Sequence, residues 1–269
     1  QMSYWGAQVI VNLFSAIPLI GPDLSLWLRG DFVVGDATLN RFFAFHVIAV
    51  PMVLLGLVAA HIIALHEVGS NNPDGVEIKK KKDANGIPLD GIPFHPYYSV
   101  KDIVGVVVFL MVFSVIVFFM PEFGGYFLEY NNFFPADPLV TPPHIAPVWY
   151  FTPYYSILRA VTYPLFGIDA KFWGVVAMGA STLIIALLPW LDRSPVKSIR
   201  YRGPLYKGFL TAFIISFFIL GYLGMLGPTP MRTIVAQICS VIYFAFFLLM
   251  PIYSSLDKCQ PEPDRVNSK

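Results

Sequence analysis

The chain has 269 residues, of which 56% are hydrophobic and only 13% are Asp, Glu, Lys or Arg; its mean hydropathy is +0.64 and its formal charge +1. Soluble domains carry about twice that charged fraction. The composition points to an integral membrane protein and not to a globular one with a large core; a net charge of +1 by itself says nothing about nucleic acid, and no nucleic-acid partner is expected.

In chain order, residues 2–18 carry no charge and mix apolar with small side chains. That pattern predicts a helix lying along a membrane surface. Five stretches then lack Asp, Glu, Lys and Arg altogether: 42–66, 103–121, 172–191, 208–231 and 233–256. A helix rises about 1.5 Å per residue, so roughly 20 residues cross a bilayer core. Each stretch is long enough. The fourth is expected to stop near Gly227, because Gly227-Pro228-Thr229-Pro230 is a turn sequence. The fold expected is an all-α membrane protein with five transmembrane helices plus surface helices.

The segments before residue 42 and between 122 and 171 are too long and too aromatic for plain connectors. Residues 147–161 hold Trp149, Tyr150, Phe151, Tyr154 and Tyr155 in one short helical window. Long structured loops usually carry function. Cys239 lies in an apolar run and Cys259 in the polar tail. Their different depths argue against a disulfide. No Cys-x-x-Cys-His occurs, so that motif attaches no haem covalently. The opening residues carry neither a start methionine nor a signal peptide, and they read as sequence from the interior of a longer protein.

Basic residues set the orientation. Lys79, Lys80, Lys81, Lys82 and Lys101 flank the first loop. Arg193, Lys197, Arg200, Arg202 and Lys207 lie between the third and fourth stretches, and Lys258, Arg265 and Lys269 in the tail. With five crossings these fall on one side, thirteen of the eighteen Lys and Arg. Arg29, Arg41, Arg159, Lys171 and Arg232 fall on the other. The lysine-rich loop and the C-terminus are therefore expected in the cytoplasm.

An ionisable residue inside a membrane is a functional hypothesis by default. His46 and His61 share the first stretch, fifteen residues apart. On a regular helix that is about 60° of rotation and roughly 22 Å of rise. One metal ion cannot bridge that distance, but two separate centres stacked across the membrane fit it. Imidazole is a natural axial ligand of haem iron. The alternatives are two satisfied core histidines or part of a proton relay.

The surrounding residues carry a resemblance. Arg41-Phe42-Phe43-Ala44-Phe45-His46, then His61, then His66-Glu67-Val68-Gly69-Ser70-Asn71-Asn72-Pro73, closely resemble the fourth transmembrane helix of cytochrome b. The likeness continues through Trp5-Gly6, Ser15-Ala16-Ile17-Pro18, Pro93-Phe94-His95-Pro96-Tyr97-Tyr98, Lys101-Asp102 and Thr141-Pro142-Pro143-His144-Ile145, covering nearly the whole chain.

The resemblance implies two non-covalent b-type haems in a four-helix bundle. The first transmembrane helix completes that bundle, and its other helices are mostly missing from this sequence. His46 would ligate the low-potential haem near the outer face and His61 the high-potential haem near the inner face. An earlier helix would supply the other two ligands. Fifteen residues is one more than in mitochondrial members and matches the chloroplast relatives, which is read as a small change of haem tilt. The implied domains are the end of the haem-binding domain (1–66), a cytoplasmic linker (67–98), a quinol-site domain with four spans (99–257) and a cytoplasmic tail (258–269).

The resemblance also implies two quinone pockets. His66, Ser70, Lys101 and Asp102 would form the inner one. His66 lies five residues past His61, about 140° around the helix, too far to serve the same iron. His95 is read as structural or as part of the proton entry. The outer pocket would use Met2, Gly6, Ile145, Pro147, Tyr150, Phe151 and Tyr155, with Tyr150 as a catalytic candidate. One departure stands out. The family motif is usually Pro-Glu-Trp-Tyr, but here it is Pro147-Val148-Trp149-Tyr150. Val148 cannot accept a proton. Water, Tyr150, Glu122, Glu129 or Asp137 would have to do so.

The implied activity is that of a quinol–cytochrome c reductase core, coupled to proton translocation by a Q cycle. The implied partners are a Rieske iron–sulfur protein, a membrane-anchored c-type cytochrome, a second copy of cytochrome b and a ubiquinone-type substrate. Val148 and the lysine-rich insert point to a bacterial inner membrane. Two readings of other kinds compete: a proton-linked channel or transporter without haem, and a haem-binding scaffold without quinone turnover.

Overall fold

The computed structural model describes residues 1–128, 130–142 and 145–264. Among the described residues the regular structure is helical, with strand-like pairing only in two isolated bridges. Five helices are long and apolar enough to span a membrane: α3 (Asp36–Val68), α4 (Tyr97–Phe119), α6 (Ala170–Leu191), α7 (Pro204–Met225) and α8 (Pro230–Leu248). Shorter helices are α1 (Met2–Phe14), α2 (Gly21–Arg29), α5 (Thr152–Ala160) and α9 (Met250–Leu256). All five expected spans are present.

The ends differ from expectation where proline intervenes. The fifth apolar stretch is two helices, α8 and α9, broken at Leu249. Pro251 lacks an amide proton and its ring crowds the carbonyl four residues back. Pro189 acts likewise in α6, whose Ile184–Leu187 turn tightens to a 3-10 helix. The helix expected over 147–161 starts only at Thr152, with Pro153 in its first turn. Trp149, Tyr150 and Phe151 form the turn before it.

The chain packs as two compact units. The first comprises Gln1–Ser70, Asn131–Arg193 and Leu205–Leu256. Its core is Ile157 and Ala160 of α5, Ile184 of α6, Leu220 and Leu223 of α7, and Ala236, Cys239, Tyr243, Phe246 and Phe247 of α8. Lipid tails are as apolar as leucine, so helices in a bilayer associate through packing and buried hydrogen bonds. Both are present here. Phe213 stacks on Phe246 at 4.6 Å, and Phe209 on Tyr253 at 4.2 Å. The buried Tyr243 hydroxyl donates to the Ser181 carbonyl at 2.7 Å, linking α8 to α6.

In the same unit, α1 and α2 are pinned by side chains on backbone carbonyls. Ser25 Oγ donates to Val11 O at 2.8 Å. Thr38 Oγ1 donates to Arg29 O at 2.6 Å, and Arg41 donates to the Trp27 carbonyl at the end of α2. Lys171 Nζ donates to Ser15 Oγ at 2.9 Å, fixing α1 to the start of α6.

The second unit comprises Asn71–Tyr130, Ser194–Pro204 and Asp257–Lys269. Its loops are tied by polar contacts. Arg200 meets Asp74 at 3.0 Å, Tyr201 Oη donates to the same carboxylate oxygen at 3.0 Å, and Ser198 Oγ donates to Pro73 O at 2.6 Å. Gly75 has φ +73°, and a Cβ there would lie 2.9 Å from Ser198 N. Glycine is required on both counts. The tail joins through Gln260 N to Tyr201 O and Gly203 N to Asp257 Oδ2, each at 2.7 Å. Arg265 and Lys269, counted in the tail's charge, lie outside the described residues.

Lys197 Nζ also meets Glu77 at 3.3 Å. That hydrogen bond, helped by the Lys79 amide, holds the Glu77 carboxyl below its ordinary range. A depressed pKa in the folded state stabilises above the unfolded value and is lost as pH falls through the folded one. The tie is therefore expected to hold at neutral pH and to open only in acid, below the ordinary carboxylate range. Hydrogen exchange of residues 194–204 checks this. Relative to the intrinsic rate at each pH, protection should fall on acidification in the parent, whereas Glu77→Gln should show the lower protection already at neutral pH and no further loss.

Candidate functional site

α3 carries both predicted ligand histidines, but it is not a uniform α-helix. Residues Phe45–Ala49 form a π turn between α-helical segments Asp36–Ala44 and Val50–Val68. The Val50 amide donates to the Phe45 carbonyl, five residues back. Pro51 supplies the local reason. It has no amide to give and its ring crowds the Val47 carbonyl, so the turn opens. Val50 serves Phe45, and Pro51 has no N–H to give the His46 carbonyl a bond five residues on.

The π turn changes the geometry read from spacing alone. It absorbs one residue, and fourteen α-helical steps put two side chains about 40° apart in the opposite sense to the 60° of fifteen steps. His46 sits inside the turn, so its offset from His61 falls between these limits. The two imidazoles are thus nearer to in line than a regular helix would place them. The rise between them stays near 22 Å.

Both histidines are exposed, and α3 has no buried residue in its apolar window, whereas 28% of the α8 window is buried. α3 therefore offers its faces to something other than the rest of its unit. Among the described residues no group of three or more His, Cys, Asp or Glu is placed to hold a metal ion. Each imidazole could supply one ligand. The donor set fits two separate flat groups each needing an axial imidazole, and it does not fit one shared ion.

Of the inner-pocket residues, His66 lies in the last turn of α3 and Ser70 just beyond its Gly69 end, both exposed and both in the first unit. Lys101 and Asp102 are exposed near the start of α4 in the second unit, with Lys101 Nζ 5.4 Å from the Tyr98 ring centre. His95 Nδ1 lies 3.1 Å from Ser99 Oγ.

The residues expected to line an outer pocket all belong to the first unit. Met2 and Gly6 lie on α1, and a Cβ at Gly6 would meet nothing within 4 Å. Ile145, Pro147, Tyr150 and Phe151 precede α5, and Tyr155 lies on it. The Thr152 hydroxyl donates to Trp149 O at 2.7 Å and Phe151 N to Val148 O at 2.8 Å, winding this segment into a tight entry. Tyr150 and Phe151 have ring centres 5.1 Å apart and stay exposed. Val148 is exposed in the same turn. Of the three carboxylates considered in place of the missing glutamate, Glu129 lies outside the described residues, as do Pro143 and His144. Glu122 is in the second unit. Asp137 is in the first. Its amide donates to Gln1 Oε1 at 3.0 Å and Gln1 Nε2 donates to Val140 O at 3.3 Å, so this loop sits beside the start of α1.

Sequence reasoning missed what holds α5. Arg159 stacks over Tyr155 at 4.5 Å and donates to the Leu223 and Leu226 carbonyls at 2.7 and 3.0 Å, capping the end of α7. Gln237 Nε2 donates to Ala160 O at 3.0 Å. Two glycines receive the helix closely. A Cβ at Gly174 would lie 2.6 Å from Leu158 O, and one at Gly224 2.1 Å from Thr152 O. Small residues that admit a neighbouring backbone are the available signal in a span.

Fold and site together define a multi-span all-α membrane protein with two imidazoles stacked in one span and an aromatic surface segment at one face. The chain matches the family described as cytochrome b (N-terminal)/b6/petB over residues 1–153, and cytochrome b (C-terminal)/b6/petD over residues 135–244. It is 61% identical over 272 residues to cytochrome b of Allochromatium vinosum, covering 100% of this chain and 65% of that one. It is 46% identical to cytochrome b of Rhodospirillum rubrum, covering 100% and 62%. A solved structure described as a hyperthermophilic respiratory complex III superposes with a TM-score of 0.81 at 39% identity, over 95% of this chain and 64% of that one. The chain belongs to the cytochrome b family. It spans just under two thirds of the length of these relatives.

Proposed function

We propose that this chain is the larger part of the haem-bearing subunit of a bacterial quinol–cytochrome c reductase. The observation that carries the reading is the pair His46 and His61, held near one line on a single exposed span by the π turn at Phe45–Ala49. His46 would hold a low-potential haem near the outer face and His61 a high-potential haem near the inner face, each through its imidazole. Bound there, two b-type haems supply one-electron redox chemistry at two depths of the membrane.

The chain's own residues do the rest. Tyr150, Phe151, Tyr155, Pro147 and Ile145, with Met2 and Gly6, form a stiff apolar slot that orients a ubiquinone-type quinol ring and excludes water. Quinol oxidation releases two protons and two electrons. One electron passes to a Rieske iron–sulfur protein and on to a membrane-anchored c-type cytochrome; the other is carried inward. Val148 holds no proton, so release at the outer pocket runs through water with Asp137 as the receiving carboxylate. For quinone reduction near the inner face, His66 and Ser70 donate to a quinone oxygen, and Lys101 and Asp102 serve the uptake of two protons from the cytoplasm. The assembly is a homodimeric complex in a bacterial inner membrane, with the C-terminus in the cytoplasm, and its turnover drives proton translocation.

A reduced-minus-oxidised spectrum of the purified complex, with and without a quinone-site inhibitor, tests this. The expected result is two b-type components whose reduction by quinol responds to the inhibitor. A transporter would show no haem absorbance. A scaffold would show absorbance with no inhibitor response.

A further inference from the structure

We propose that the lysine-rich segment after α3 is a folded electrostatic foot that binds the anionic phospholipid headgroups of the bilayer in which the chain sits. The segment is built, not loose. Lys82 and Pro88 pair as an antiparallel bridge, Asp83 N donates to Ile87 O at 2.8 Å, and Leu89 N donates to Lys81 O at 3.0 Å. The turn is Asp83-Ala84-Asn85-Gly86, with Gly86 at φ +80°. Asp83 Oδ1 accepts from the amides of Asn85 at 2.9 Å and Ile87 at 2.8 Å. The acid next to the lysine run is thus engaged by the turn itself. Glu77, on the other flank, is engaged by Lys197.

Lys80 ends the 3-10 turn Ile78–Lys80, Lys81 and Lys82 lead from it into the bridge, and all three are exposed. The return strand and its continuation expose Ile87, Leu89, Ile92 and Phe94. Exposed lysines followed closely by exposed apolar side chains are poorly suited to water and well suited to the headgroup boundary, where ammonium groups meet phosphates and apolar groups enter the acyl margin. The tether fixes the depth. α4 enters the membrane from Tyr97, eight residues after Leu89, so the hairpin stays within about 27 Å of that entry. Charge, apolar side chains and short tether together favour the host membrane over a soluble acidic protein.

The test uses the full-length subunit in its complex, placed in nanodiscs of phosphatidylcholine alone or with about a third phosphatidylglycerol. The readout is hydrogen exchange of residues 79–92. Exchange should slow by at least about tenfold in the anionic disc, and the slowing should vanish in about 0.5 M salt. The variant Lys80→Gln/Lys81→Gln/Lys82→Gln should exchange alike in both discs. Equal exchange of the parent in the two discs overturns the proposal, as does slowing that salt leaves intact. Full protection in lipid-free detergent overturns it too, because a protein partner would then cover the hairpin.

Discussion

His61→Leu in the full-length protein is expected to remove one b-type component from the reduced-minus-oxidised spectrum and leave the other, and His46→Leu to do the reverse. The spacing of roughly 22 Å requires this outcome, because centres that far apart lose ligands independently. Leucine keeps the apolar surface of the span and removes only the imidazole. Quinol–cytochrome c turnover should fall by more than the roughly 10–100-fold typical when only a hydrogen-bond partner of a metal ligand is changed. Loss of both components from either single variant would mean a shared or cooperative site, contrary to the proposal. The π turn adds a finer test. Pro51→Ala restores an amide that can serve the opened turn, so the component assigned to His46 should change its low-temperature spectrum while that of His61 stays put.

Gly224→Ala is expected to abolish quinol oxidation while both b-type components remain. The added Cβ would lie 2.1 Å from the Thr152 carbonyl oxygen, 2.7 Å from its carbon and 2.8 Å from its Cβ. Thr152 is buried and opens α5, so no flexible side chain can give way. Overpacking typically costs about 1–3 kcal/mol, and a clash with backbone belongs at or above the upper end. Relief requires α5 to move, and Tyr150, Phe151 and Tyr155 with it. The histidines sit on α3 and have no part in that contact. Gly221→Ala on the same helix is the control. Its Cβ would meet Pro153 Cγ at an ordinary 3.5 Å, and alanine is the better helix former by about 1 kcal/mol. Unchanged turnover in Gly224→Ala would show that α5 does not shape the outer pocket.

The number of spans was legible in the chain, because a bilayer imposes one requirement on every spanning helix. About 20 residues must pass without charge, and that signal is local. The same holds for His46 and His61, since an imidazole within such a stretch is conspicuous against its neighbours. Helix ends were less legible. Pro51, Pro189 and Pro251 lie inside apolar runs that composition alone counts as continuous, yet each removes a backbone donor and redirects the helix locally. The π turn is the sharpest case. Spacing gave the number of residues between the two histidines, but the rotation between them depends on which amide each carbonyl meets.

By itself, then, the sequence determined an all-helical membrane protein of five spans with two histidines at separate depths of the first. Only the tertiary structure decided that these histidines stand near one line, that α5 is seated on Gly174 and Gly224 with Arg159 capping α7, and that the loops of the second unit are tied through Asp74, Arg200 and Asp257. The reason is physical. Span length and charge are properties of each residue in its own solvent, whereas a close approach between helices exists only once both backbones are in place.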